Sequence, residues 1–209
     1  MNYKHKRNGK TVSDNDSDSE SEDDNIVKTV GNEIYFYSDV TSKKVFELVR
    51  QVKKLETKLL KQAINLTNYE PEITIYIKSD GGDVYAGFSG MDHLRQSKVK
   101  IYTVADGCCA SAATFLLLAG EYRYINPHTH VLIHQITSGC FWGKFEELQD
   151  EMAVCQQLMD MIKKIYKSDT KIPDKIFKTL MKRDVYLSPE ECQNFGIVHE
   201  ISYPCSASQ

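Results

Sequence analysis

The sequence predicts an α/β domain with a largely parallel sheet, and three observations carry this prediction. From about residue 33 onward, short runs of β-branched and aromatic residues alternate with longer segments of helical periodicity. The chain has 209 residues, which suits one domain with tails. About 41% of the residues are apolar, enough for a sizeable core. Strands that alternate with helices favour parallel pairing, because each crossover helix returns the chain to the same end of the sheet.

The first residues differ in composition from the rest. Residues 14–24 read DNDSDSESEDD, in which seven of eleven residues are acidic and none is apolar. Such a segment cannot offset its ordering entropy by burial. We therefore predict a disordered acidic tail over 1–28, a domain over 29–203 and a short C-terminal tail over 204–209. A solubilising role for the acidic tail and regulated phosphorylation of Ser17, Ser19 and Ser21 both stay open.

The first half of the domain alternates regularly. Helical periodicity is clearest at 41–64, where apolar residues recur every three or four positions. Runs rich in β-branched and aromatic residues before and after it indicate strands. The predicted order is strand 33–37, helix 41–64, strand 72–78, helix 84–97 and strand 100–105.

The second half begins with a helix that we expect Ser111 to open. The segment SPEECQNFG near the end carries clear helix signals, since Ser188 and Glu191 form a capping box and Gly196 provides a stop. The predicted order is a helix from Ser111, strands 123–125 and 131–135, a long helix 145–167, a shorter helix from Pro173 to about 182, a helix over 188–196 and a strand over 197–201.

Composition argues against several classes of partner. The net charge of −3 gives no basic surplus for nucleic acid. The longest apolar stretches are too short to span a bilayer, and the basic start MNYKHKRNGK lacks the apolar run of a secretory signal. Six cysteines form no CxxC pair and no metal-binding spacing with histidine. We expect reduced thiols, a cytoplasmic location and no metal or cofactor, and an organellar or virus-encoded origin stays open.

Three stretches with chemical potential follow predicted strands, where sites in parallel sheets form. In SDGGD (79–83), consecutive glycines bring backbone N–H groups close to a ligand, or simply make a turn. In DGCCASAATFLLLAG, Ser111 lies among small residues at a helix start, which favours developing negative charge; the alternative is a helix cap. His134 ends VLIHQ, where the alternative is a buried structural histidine.

Serine and histidine at neighbouring strand ends can form a nucleophile and a general base. A serine hydroxyl is inert at neutral pH until a base accepts its proton, and the base needs an orienting partner, usually a carboxylate. Asp184 in MKRDVYLSPEE is the candidate, since it lies beside tyrosine and valine rather than in a solvated charge run. Spacing alone does not place Asp184 near His134.

The succession SDGG, ASAATFLLLAG, VLIHQ and KRDVYLSPEECQNFGIV resembles the proteolytic subunit of the Clp protease, ClpP, from about residue 33 to 201. The resemblance implies a ClpP/crotonase-like fold, a superhelix of ββα units on a parallel sheet with a long handle helix. It implies a serine endopeptidase that hydrolyses peptide bonds of unfolded proteins through an acyl-enzyme. The implied triad is Ser111, His134 and Asp184, and the implied oxyanion hole is made by the backbone N–H groups of Gly82 and Ala112.

This sequence departs from the family's pattern at three positions near these motifs. Asp80 and Ile136 stand where the family usually has proline, and Ala112 stands where it has methionine. The acidic tail also replaces any recognisable axial-pore segment. Docking to an AAA+ ATPase unfoldase therefore stays open, as do two other functions: a non-catalytic ring subunit, and another crotonase-fold enzyme acting on acyl-CoA thioesters.

The long helix carries a regular apolar pattern. Its apolar residues are spaced alternately by three and four, which predicts a heptad seam, and the alternative is a helix lying on its own sheet. The resemblance implies a homo-oligomer of two stacked heptameric rings joined by this handle, with Met152 and Met159 in the seam and Arg183 pairing across the ring contact. The seam residues are Phe145, Leu148, Met152, Cys155, Met159, Ile162 and Tyr166.

Overall fold

The computed structural model describes residues 26–64, 66, 69–137, 139 and 142–203. This part of the chain forms one sheet of eight strands with six helices. The elements are β1 Ile26–Val30, β2 Glu33–Tyr37, α1 Ser42–Ala63, β3 Glu72–Ser79, α2 Val84–Arg95, β4 Lys100–Ala110, α3 Ala113–Leu118, β5 Tyr122–Ile125, β6 His130–Leu132, α4 Phe145–Asp169, α5 Asp174–Leu180, β7 Tyr186–Leu187, α6 Pro189–Asn194 and β8 Glu200–Ile201.

The sheet is largely parallel, as predicted, and it forks along one strand. Its main path runs β1-β2-β3-β4-β5-β8. The first half of β4 pairs with β5 at residues 102–105, while its last residues 108–110 pair with β6. Only two pairs, β1 with β2 and β6 with β7, are antiparallel among the described strands. The fork matters because it carries the ends of β4 and β6 to one edge of the sheet.

The core lies between the sheet and its helices, and the residue periodicities explain it. Along β3, the buried Ile73, Ile75 and Ile77 alternate with less buried residues, as a strand with one covered face requires. Helix α1 begins after Thr41, whose side chain accepts the Lys44 N–H, and it buries a stripe of apolar residues. All six residues of α3 are buried, which fixes this short helix beneath the end of β4.

Most predicted elements are present, with shifts at their ends. The capping box predicted at Ser188 forms, because the Ser188 hydroxyl accepts the Glu191 N–H and the Glu191 carboxylate accepts the Ser188 N–H at 2.8 Å. Strand β4 extends to Ala110, so Ser111 precedes α3 rather than opening it. His134 follows β6 by two residues rather than ending the strand.

The predicted domain start at residue 29 falls inside β1, and residues 26–28 belong to the sheet rather than to a disordered tail. This strand pairs antiparallel with β2, and the Gln51 amide of α1 donates to the Val27 carbonyl at 2.7 Å. The predicted tail took in residues 26–28, although four of the five β1 residues, Ile26, Val27, Thr29 and Val30, are β-branched and favour a strand. The remaining tails, 1–25 and 204–209, lie outside the described residues.

In the single chain, the residues of the predicted heptad seam on helix α4 fall into two groups. No residue from 145 to 157 is buried, and Phe145 and Met152 are each 69% exposed. Further along, Ile162 and Tyr166 are buried in the protein's own core, and the Met159 sulfur accepts the Ile136 N–H at 3.5 Å. The seam therefore divides into an unpaired first half and a second half that packs on its own domain. Within the described residues, no helix is both long and apolar enough to cross a membrane.

Candidate active site

Ser111 has a strained backbone at the end of β4. Its φ is +54°, the only positive φ of a non-glycine residue in the described chain. The Ser111 N–H donates to the Leu132 carbonyl of β6 at 2.9 Å, and the Ser111 carbonyl accepts the Thr114 N–H at 3.0 Å. A left-handed conformation costs a non-glycine residue about 1–3 kcal/mol and persists only where its surroundings enforce it. Here both neighbouring elements, β6 and α3, hold the turn.

The structure excludes the alternative that Ser111 is a helix cap. The N-cap of α3 is Ala112, and no side chain caps this helix. Ser111 is half-buried and its side chain lines a cavity instead. The sharp turn thus exposes a hydroxyl at the edge of the sheet, while the buried helix α3 anchors the chain that follows.

The glycine pair packs directly against Ser111. Gly81 has φ +105°, and a Cβ there would lie 2.6 Å from the Ser111 Cβ. Gly82 has φ +140°, and a Cβ there would lie 2.5 Å from the Val40 carbonyl oxygen. Val40 pins this turn, since its N–H donates to the Gly81 carbonyl at 2.7 Å and its carbonyl accepts the Asp83 N–H at 2.8 Å. Only glycine allows both the conformation and the close approach.

Two backbone N–H groups beside Ser111 are left without partners. Among the described residues, neither the Gly82 N–H nor the Ala112 N–H donates a hydrogen bond. Both residues line the same cavity as Ser111. Unpaired N–H groups that flank a reacting centre can stabilise negative charge on a bound oxygen. The Gly82 N–H stays free for this role because the turn around Val40 uses the Gly81 carbonyl and the Asp83 N–H instead.

His134 and Asp184 come together through an element that the sequence did not reveal. The short strand β7 pairs with β6, with Val131 opposite Leu187. This pairing brings the segment before β7 alongside the segment after β6. The result is a distance of 3.5 Å between the His134 Nδ1 and the Asp184 Oδ1. With Nδ1 facing a carboxylate, Nε2 is the ring nitrogen left for proton transfer.

The environment of this pair is open on one side. The His134 side chain is 22% exposed, and the Asp184 side chain is 76% exposed. His134 is therefore not the buried structural histidine of the alternative. The separation from Asp184 is longer than a charge-assisted hydrogen bond, which spans about 2.7–2.9 Å. In the isolated chain, Asp184 orients the imidazole only loosely.

A cavity of about 500 Å³ joins Ser111 and His134. One wall is largely apolar and comes from α3 and α4, and the carboxylates of Asp80, Asp83 and Glu151 also line the cavity. The hydroxyl of Tyr166 hydrogen-bonds the Thr114 hydroxyl, and burial raises the pKa of this phenol, so Tyr166 stays neutral. The apolar wall consists of Phe115, Val154, Leu158, Ile162 and Tyr166. The heptad pattern assigned Ile162 and Tyr166 to a seam between subunits, whereas both residues line this cavity. They are four residues apart and therefore lie on the same face of α4.

Asp80 lies at the cavity mouth and has a specific partner. Its side chain is exposed, and its carboxylate acts on the Cys108 thiol, whose pKa it raises. Burial, together with the neighbouring Asp80 carboxylate, raises the pKa of Cys108 to about 11, so the thiol stays protonated. The four cysteines in the described residues are free thiols. Within the same residues, no cluster of three or more His, Cys, Asp or Glu side chains has the arrangement of a metal site.

The family model and the similar known proteins agree on one family, the Clp proteases. The family model of Clp protease matches residues 29–204. The ATP-dependent Clp protease proteolytic subunit of Deinococcus radiodurans is 33% identical over 136 residues, covering 64% of this chain and 66% of that protein. Proteolytic subunit 2 of Treponema denticola is 34% identical over 155 residues, covering 72% and 76%. The chain thus spans about two thirds to three quarters of these relatives' length.

A solved structure shares the architecture. A ClpP1 mutant from Listeria monocytogenes superposes with a TM-score of 0.70 at 26% identity. The match covers 83% of this chain and 92% of the other. The mixed sheet with its helices and long α4 therefore has the predicted ClpP fold.

Proposed function

This chain belongs to the Clp protease family, and we propose that it is a serine-type endopeptidase with Ser111 as its nucleophile. It is a proteolytic subunit of Clp type, and acyl-CoA chemistry on the same fold is not favoured. One observation carries the serine assignment: a strained Ser111 faces a cavity beside two unpaired N–H groups, those of Gly82 and Ala112. Backbone strain that the surroundings enforce is typical of reacting residues.

The proposed reaction is acyl transfer. The His134 Nε2 accepts the Ser111 proton as Oγ attacks the peptide carbonyl, and the N–H groups of Gly82 and Ala112 stabilise the oxyanion. His134 then gives the proton to the leaving amine, and water hydrolyses the acyl-enzyme. Asp184 contacts no reacting atom. It orients His134 by its contact with Nδ1.

The cavity supports a preference for an apolar side chain next to the scissile bond. Its wall on α3 and α4 is largely apolar, and the carboxylates of Asp80, Asp83 and Glu151, which also line the cavity, repel an acidic side chain. Unfolded polypeptides offer such side chains in extended form, whereas folded proteins bury them. We therefore propose unfolded polypeptides as the substrates.

We propose that the subunits assemble into two stacked heptameric rings. The first half of α4 and the preceding Trp142, which is 100% exposed, present apolar surface that the isolated chain leaves in water. Arg183 and Asp184 are also exposed, and a neighbouring subunit that covered them would strengthen the contact between Asp184 and His134. Delivery of folded substrates would then need a AAA+ ATPase unfoldase.

A serine-directed fluorophosphonate probe tests the proposal. We expect wild-type protein to be labelled on Ser111 and to cleave an unfolded polypeptide, and Ser111→Ala to do neither. His134→Ala should also lose both, because the hydroxyl is then not deprotonated. Labelling that persists in His134→Ala at the wild-type rate would contradict the assigned base. Cleavage that persists in Ser111→Ala would overturn the serine mechanism.

A further inference from the structure

A basic groove lies between β1 and α1 and shares no lining residue with the catalytic cavity. Its volume is about 680 Å³. Four basic side chains line it, one from β1 and three from α1, and its apolar lining includes Val27 and Leu55. The basic residues, here called the groove cations, are Lys28, Arg50, Lys54 and Lys58.

Most of the groove cations are free to bind a ligand. Arg50 pairs with Glu47 at 2.8 Å. Within the described residues, no hydrogen bond or ion pair engages the side chains of Lys28, Lys54 and Lys58, whereas the adjacent Lys53 pairs with Glu56 at 3.2 Å. The groove therefore presents several positive charges against one carboxylate.

The groove cations of α1 are spaced so that they repel one another. Arg50, Lys54 and Lys58 follow one another at intervals of four residues, so they lie on one face of the helix. Like charges at this spacing destabilise a helix by a few tenths of a kcal/mol per pair. An acidic ligand in the groove removes that repulsion.

We propose that the acidic segment 14–24 of this chain docks in the basic groove. The segment carries seven acidic residues and no basic one, which complements the groove cations. It joins β1 through a single residue, since β1 begins at Ile26. A tethered ligand has a high effective concentration at its site, so this segment outcompetes a free acidic partner of similar affinity.

The geometry gives the segment ample reach. Arg50 and Lys58 are eight residues apart on α1, which is about 12 Å at 1.5 Å per residue. Eleven extended residues span up to about 35 Å, so the segment can turn back along β1 and cover the groove. Phosphorylation of Ser17, Ser19 or Ser21 would add about −1.5 to −2 charges each and strengthen the docking.

Zero-length carbodiimide cross-linking of the full chain tests the docking, with the links mapped by mass spectrometry. At low salt we expect amide links from Lys28, Lys54 and Lys58 to the acidic residues of segment 14–24, and their loss at 0.5 M NaCl, where surface charges are screened. The yield of links from Lys28, whose amine is intact in every variant, should fall about three- to tenfold in Lys54→Glu with Lys58→Glu.

A matched control separates the groove from the general charge of α1. Lys43→Glu with Lys61→Glu makes the same charge change on the same helix outside the groove, and should leave the Lys28 links within about twofold. Equal losses in both double variants would overturn the proposal. Mixing isotope-labelled and unlabelled protein tests whether the links join one chain, and links that form only between chains would also overturn it. Circular dichroism of each variant confirms that it is folded.

Discussion

At Ser111 the backbone conformation and the chemistry of the side chain can be separated by mutation. Its φ of +54° is enforced by hydrogen bonds to Leu132 and Thr114, neither of which involves the hydroxyl. The strain therefore belongs to the turn and remains when the side chain is shortened to alanine. Glycine removes it, because a residue without Cβ adopts this conformation freely.

We predict that Ser111→Ala and Ser111→Gly both lose peptidase activity but differ in stability. Removing a nucleophile of this kind lowers turnover by about 10⁴ to 10⁶. Ser111→Gly should nevertheless exceed Ser111→Ala in free energy of unfolding by up to about 1 kcal/mol, since it relieves the left-handed strain. Thermal denaturation of the two variants measures this difference. A less stable glycine variant would mean that the turn is not strained.

Asp80 replaces the proline typical of the family, and its contact is with a thiol rather than with the reacting atoms. We predict that Asp80→Asn keeps turnover within about tenfold of wild type. Cys108 should be alkylated faster by iodoacetamide, because losing the carboxylate lowers the raised pKa of Cys108 and increases the thiolate fraction at a given pH. Cys155 provides an internal reference. Unchanged alkylation of Cys108, or a turnover loss like that of Ser111→Ala, would contradict the prediction.

The glycine turn between β3 and α2 packs closely against Ser111. Gly81 meets Ser111 closely, whereas Gly107 in β4 has φ +72° with its nearest neighbour at an ordinary 3.9 Å. The two positions share a positive φ and differ in contact. Substituting alanine at each position therefore separates the effect of backbone strain, which both share, from the effect of a steric clash with Ser111, which only Gly81 has.

We predict that Gly81→Ala is much more harmful than Gly107→Ala. Both substitutions place a Cβ at positive φ, which costs about 1–2 kcal/mol. Gly81→Ala also drives its Cβ to within 2.6 Å of the Ser111 Cβ, so the nucleophile or the turn must move. Turnover should fall at least about 10²-fold, since small displacements of reacting groups have effects of that size. Steady-state kinetics and melting curves check both effects, and equal activity in the two variants would contradict the clash.

Strand β1 extends the described sheet to residue 26, which gives a prediction about truncation. A chain beginning at residue 29 loses three of the five β1 residues and the Gln51 hydrogen bond to Val27. A chain beginning at residue 26 keeps them. We expect the shorter chain to melt several degrees lower, as a loss of about 1–2 kcal/mol implies, and the longer one to melt within about two degrees of the full chain. Equal melting temperatures would show that residues 26–28 add nothing to the stability of the fold.

Across the molecule, local signals were predictable from sequence and long-range pairings were not. The capping box at Ser188 depends on residues three apart, so its chemistry was visible. The contact of Asp184 with His134 depends on the pairing of the two-residue strand β7, which has no periodicity to detect. The helical periodicity of α4 was read correctly, but Ile162 and Tyr166, which were assigned to the seam, are buried in the protein's own core. Burial by the protein's own core at Tyr166 and exposure at Met152 look alike in a sequence.

The exposed first half of α4 allows the assembly of the subunits to be tested by mutation. Met159 is a poor probe, because its sulfur accepts the Ile136 N–H and it packs on the core. Phe145 and Met152 are each 69% exposed, so charges there leave the isolated fold intact. In a ring-to-ring contact they would become buried and unpaired, which costs several kcal/mol per site. The effect of charge on assembly is therefore separable from its effect on folding.

We predict that Phe145→Glu with Met152→Glu splits a fourteen-subunit particle into single rings or smaller species, with lower peptidase activity because Asp184 loses its cover. Gln149→Glu with Gln157→Glu adds the same charge at exposed polar positions of α4 and should leave the particle intact. Light scattering measures the masses against the 23.9 kDa of one chain. A fully active wild-type monomer would reject the ring model. A fourteen-subunit double glutamate variant would reject α4 as the contact between rings.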